Sequence, residues 1–147
     1  MFEKEKVDSI IARINLLTTN SQPVWGKMSV SQMLSHCCVS YELVYENNHP
    51  KPKGIKKWLL TKFVKPIVVS EKPYKNNSRT APEFIIVAEK DFDVEKKRLI
   101  EYIIKTQTLG EAYFDHLESH AFGKLTGREW NTLFSKHLEH HLKQFGV

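Results

Sequence analysis

The chain has 147 residues, 41% hydrophobic and 27% charged, which is the balance of a soluble globular protein and the length of a single domain spanning 1–147. It contains no long apolar run, which excludes a membrane span. The net charge of +5 is uneven: eight Lys and one Glu stand between Lys51 and Lys75, so a near-neutral domain carries one basic segment. The charged start, MFEKEKVDSI, lacks the apolar stretch of a signal peptide, and the adjacent Cys37 and Cys38 form no disulfide framework. A reducing cytoplasm is the expected location.

Phe2 to about Leu17 reads as a first amphipathic helix with Val7, Ile10, Ile11, Ile14 and Leu17 as its core stripe. Pro23 punctuates the break that follows. Ser29 opens a second helix, and Gln32 three residues on completes a capping box, in which each side chain satisfies a backbone N–H orphaned by the first turn. Val30, Met33, Cys37, Tyr41 and Val44 make its apolar face. By periodicity His36 sits on the flank of that face, as a boundary histidine touching water. Both cysteines read as small buried apolar groups.

Asn47 to about Lys90 is irregular and holds five of the six prolines. Inside it, GIKKWLLTKFVKPIVV forms a short amphipathic pattern, with Ile55, Trp58, Leu59 and Phe63 on one side and lysines on the other. Three readings compete: a flap packed over the body of the protein, a basic helix for a membrane surface, and a nucleic-acid patch. The flap is the expectation. Nucleic acid is not expected as a partner, because base readout favours Arg, Asn and Gln over lysine. Phe84 to Ala88 reads as a short extended piece. Asp91 or Asp93 caps a third long helix with Val94, Leu99, Ile100, Ile103 and Ile104, running to about Thr108. A loop rich in aromatics and holding His116 and His120 follows.

The last helix opens at Thr126, with Glu129 completing a second capping box, and stops at Gly146. Trp130, Leu133, Phe134, His137, His141 and Gln144 share one face. His137 and His141 are four residues apart in the middle of that apolar stripe, one turn above the other. Two buried imidazoles need either two separate polar partners or one metal ion that satisfies both. His140 lies near the same face, so another pairing stays open. Glu139 points to the opposite side, and the zincin HExxH pattern is absent.

Long helices with apolar stripes and one inserted segment predict an all-α four-helix bundle with an irregular basic insertion between helices 2 and 3. The stretches WGKMSVSQMLSHC (Trp25 to Cys37), SHAFGKLTGREW (Ser119 to Trp130) and HLEHHLKQFG (His137 to Gly146) resemble the DinB/YfiT-like superfamily of metal-binding four-helix bundles, in particular a branch of short, uncharacterised members. The resemblance covers most of the chain and only loosely the insertion. It implies a divalent metal, zinc or nickel, on His36, His137 and His141, with Gln144 also fitting the pattern. It further implies a metal-dependent enzyme, a thiol-dependent S-transferase or a hydrolase, acting on a small electrophile with a low-molecular-weight thiol or water as the other reactant. His120 and Gln144 would support the ligands or orient substrate, and the protein would pair as a homodimer. The alternative is a non-catalytic bundle that binds a metal, a partner or a membrane surface.

Overall fold

The computed structural model describes residues 1–46 and 48–147, so Asn47, the expected start of the irregular segment, lies outside the described residues. In chain order the elements are α1 (Lys4–Leu16), α2 (Val30–Tyr45), α3 (Gly54–Leu59) and α4 (Lys65–Val68), joined by a π-helical turn at Leu60–Val64. Then come α5 (Phe92–Phe114), a hairpin of β1 (Glu118–Ser119) and β2 (Gly123–Lys124), and α6 (Gly127–Gln144). The chain is mostly helical, and the hairpin is a small departure from an all-α plan.

Helices α2, α5 and α6 start where side chains can replace missing backbone partners, whereas Glu3 gives α1 no side-chain cap. Ser29 and Gln32 close a capping box on α2, and Thr126 and Glu129 close one on α6. Asp91, not Asp93, caps α5 by accepting from Val94 N at 2.9 Å. Helix α5 continues past the expected stop at Thr108, because Gly110 adopts a left-handed φ of 72° and absorbs a kink before one more turn. That turn brings Phe114 into the core.

The core is apolar and strongly aromatic. Helix α2 packs against α5 and α6, while α1 packs against α5 and α6. Tyr41 stacks between Phe134, at 4.8 Å, and Tyr102, at 5.6 Å, and Phe134 stacks on Trp130 at 5.4 Å. Unlike an ordinary amphipathic helix, α2 is buried from Met33 to Glu42 without a break. It runs through the middle of the fold, which buries the flank on which periodicity placed His36. In α5 the inward positions are Glu95, Leu99, Ile103, Thr106 and Phe114. Val94 and Ile104, expected in the core, are exposed.

The basic insertion differs from its expected layout in two ways. The expected extended piece at Phe84–Ala88 begins at the end of a 3-10 turn, Pro82–Phe84, turns extended at Ile85, and pairs with no strand among the described residues. The amphipathic helix is also turned over. Its lysines Lys57 and Lys65 reach inward to Glu118 and Glu129, each at 3.1 Å, while Ile55, Trp58, Leu59 and Phe63 face solvent. Within the described residues no helix is long and apolar enough to cross a membrane.

Truncating Phe134 to Ala removes the ring at the centre of the aromatic stack and leaves a cavity that fixed helices cannot close. The expected loss is about 3–5 kcal/mol of stability, read from urea unfolding.

Candidate metal centre

Helix α2 supplies His36 and helix α6 supplies His137 and His141, which are 4%, 9% and 7% exposed. One ligand atom from each lies within 4.8 Å of the other two, a group able to hold a metal ion. His36 Nε2 and His137 Nε2 stand 2.9 Å apart, and the ring centroids are separated by 4.5–4.9 Å.

The outer nitrogen of each ring has its own partner. His36 Nδ1 lies 2.7 Å from the carbonyl oxygen of Phe84. A carbonyl only accepts, so Nδ1 carries the hydrogen and the neutral ring turns a lone pair inward from Nε2. His141 Nδ1 lies 2.8 Å from Gln144 Oε1. The amide orientation is set by its other end, where Gln144 Nε2 donates to Trp25 O at 2.8 Å. His141 therefore also donates from Nδ1 and keeps its inward nitrogen unprotonated. His137 Nδ1 meets Ser40 Oγ at 2.8 Å, and a hydroxyl can donate or accept. Ser40 thus permits two states of His137. In one, His137 Nε2 carries the hydrogen and donates to His36. In the other, all three inward nitrogens hold lone pairs, the donor set that a metal needs.

The model of the family described as "Protein of unknown function (DUF1569)" matches residues 2–146. The chain belongs to this family. No curated protein and no solved structure matches it.

In this DUF1569 chain, burial keeps the cluster neutral. His137 is pushed well below the usual imidazole range by burial, then by His141 and His36. His141 falls to about 3, chiefly through burial and then His36. His36 is lowered by burial, with the Phe84 carbonyl opposing. Neutral imidazoles are the form that binds metals.

The structure brings His36, His137, His141 and Gln144 together and leaves His120 out. His120 sits in the hairpin, where its Nε2 contacts Pro50 O at 3.2 Å, so it does not reach His137. His36 is a buried core residue and not the boundary histidine that periodicity suggests. His140 is not one of the three converging residues; its ring packs edge-on against His141 at 5.0 Å and against Trp25 and Tyr74 at 5.8 and 5.7 Å. Beside it opens a cleft of about 470 Å³ between α6 and the insertion, lined by Trp25, Tyr74, Ser135, Lys136 and His140.

Three contributors escaped the sequence reading. Ser40 left a signal, being a polar residue one turn after His36 on an apolar helix. The carbonyls of Phe84 and Trp25 left none, since any residue has a carbonyl. Phe84 also covers the cluster with its ring, 5.3 Å from His36 and 5.6 Å from His137. Gly26 belongs to the same support: its φ is +88°, and a Cβ there would sit 2.5 Å from Gln144 Nε2.

The lowered imidazoles make metal-free protein sensitive to acid. Their unfolded pKa is about 6.5, so below it the unfolded chain binds more protons than the folded one. The stability they contribute is present above about pH 6.5 and is lost as pH falls toward the value of about 3 for His141. Between pH 7 and 5, chelator-treated protein should lose up to about 1.4 kcal/mol per pH unit for each histidine, read as urea midpoints, and a His137→Leu variant should show a shallower slope.

Proposed function

We propose that this chain is one domain of the DinB/YfiT-like type, a four-helix bundle over 1–147. His36, His137 and His141 hold a zinc or nickel ion for an enzyme that attacks a small electrophile with a thiol or water. The observation that carries this reading is the convergence of three neutral Nε2 atoms whose outer nitrogens are each held by a residue that is not a ligand. Outer partners of this kind fix ring orientation at metal sites. Three protein ligands with a position left open is the pattern of catalytic rather than structural sites. His140, the nearest further imidazole, lies between the cleft and the His141 ring, 5.0 Å from it, and offers no nitrogen to the group of three.

A divalent ion held there supplies Lewis acidity, which lowers the pKa of a thiol or water bound beside it. The chain's own residues orient and exclude. Phe84 O, Ser40 Oγ and Gln144 Oε1 aim the three rings. The Phe84 ring restricts access from solvent. The attacking thiol comes from outside the chain, because burial pushes Cys37 far above and Cys38 up to about 12. In the transfer, sulfur bonds to the electrophilic carbon while the displaced group departs with the thiol's proton. The cleft beside His140 is the place for the substrate. Two free, buried thiols suit a reducing cytoplasm.

A non-catalytic role for the ion draws support from one feature, the deep burial of the cluster under Phe84. Activity separates the two readings. Protein purified without an affinity tag should carry near-stoichiometric metal by elemental analysis, and His137→Ala should carry none. No metal in either, even after loading with zinc or nickel, overturns the centre. Bound metal with no turnover of thiols or water against model electrophiles favours the non-catalytic role. Gln144→Ala should bind metal about 10–100-fold more weakly in chelator competition, since it removes only an orienting partner.

A further inference from the structure

The insertion helix that precedes Phe84 presents its apolar side to solvent. From Gly54 to Val68 the backbone is continuously helical, through α3, the π turn and α4. Ile55, Trp58, Leu59, Phe63 and Ile67 project outward with exposures between 43% (Leu59) and 78% (Ile55). Scattered apolar residues on a surface need no explanation, but a row of them on one helix marks a contact site. This face is not a loosely attached segment turned the wrong way. The opposite side is fastened to the body through Lys57 to Glu118 and Lys65 to Glu129, and Thr61 Oγ1 lies 3.4 Å from Ala121 O. Lys136 of α6 donates to Ile67 O at 2.6 Å and to Ser70 O at 2.9 Å, which anchors the far end. The outward orientation is therefore fixed.

The charge around the face identifies what it meets. Eight Lys against one Glu lie between Lys51 and Lys75. Of these, Lys51, Lys53, Lys56, Lys62, Lys72 and Lys75 are exposed. Lys62 sits at the margin of the apolar row, its ammonium 4.8 Å from the Trp58 ring and 5.6 Å from Phe63. A second copy of the chain would bring six more exposed lysines against these six, and like charges repel. Nucleic acid would satisfy the lysines but would leave Ile55, Leu59 and Ile67 in contact with phosphates. An anionic lipid surface satisfies both chemistries: headgroups take the ammonium groups while Trp, Phe and Ile enter the acyl boundary.

We propose that the Gly54–Val68 helix is a membrane-surface anchor that lays Ile55, Trp58, Leu59, Phe63 and Ile67 into the headgroup region of an anionic bilayer. The protein then rests on the membrane through the same segment whose later part, Phe84, covers the histidine cluster.

The test is co-sedimentation of the full chain with vesicles of phosphatidylcholine alone and with about one third phosphatidylserine. Binding to the anionic vesicles should exceed binding to the neutral ones by about 10-fold or more and should fall as salt rises. The double substitution Trp58→Glu with Phe63→Glu should reduce binding to anionic vesicles by about 10-fold or more. Both sites are exposed, so circular dichroism and metal content of the variant should match the parent. Five results overturn the proposal. These are no binding to anionic vesicles, equal binding to neutral ones, and anionic binding that the double substitution leaves intact. The fourth is a lipid-free dimer that the same substitution dissociates, which would assign the face to a second copy. Tighter retention on a double-stranded DNA oligonucleotide than on anionic vesicles would likewise overturn it.

Discussion

Three imidazoles in an apolar interior need partners for six ring nitrogens, and the structure around them is arranged by that need. The three outer nitrogens draw in a carbonyl from the insertion, a hydroxyl from α2 and an amide from the end of α6. The three inner nitrogens face one another. Burying polar groups without partners costs several kcal/mol each. Aromatic packing, the register of α2 against α6, and the path of the insertion are all compatible with one placement of these rings.

The site therefore links parts of the chain that are far apart in sequence. Helices α2 and α6 provide the three imidazoles, but the connection before α2 and the insertion after it set their angles. Trp25 O holds Gln144, and Phe84 O holds His36. The insertion has two roles on two sides. Its 3-10 turn closes over the cluster, and its preceding helix carries an apolar row outward into solvent.

Much of this was legible from the residues. Both capping boxes lie where Ser29/Gln32 and Thr126/Glu129 predict, because capping is local chemistry. The inward facing of His137 and His141 follows from their place in the stripe of Trp130 and Phe134. His36 was not legible by periodicity. A wheel drawn for one buried face fails on a helix surrounded by others, and α2 is such a helix. Only the resemblance pointed to His36. The inverted insertion helix was hidden for a related reason. Periodicity separates Ile55, Trp58 and Phe63 from the lysines, but does not say which side meets the protein. Glu118 and Glu129 decide it, and both lie far along the chain. Membership of the DUF1569 family covers residues 2–146.

The contact of Gln144 with the 18–29 connection has a consequence for how freely that connection can vary. Val24 N donates to the Gln144 carbonyl at 2.7 Å, and the Gln144 side chain donates to Trp25 O. A surface connection between two helices ordinarily tolerates inserted or deleted residues. This one is stitched twice to the residue that aims His141. A change in its length would be felt as a rotation of an imidazole at the centre of the molecule, not as slack at its surface. The connection is part of the site's alignment, and its length and the identity of position 144 should vary together or not at all.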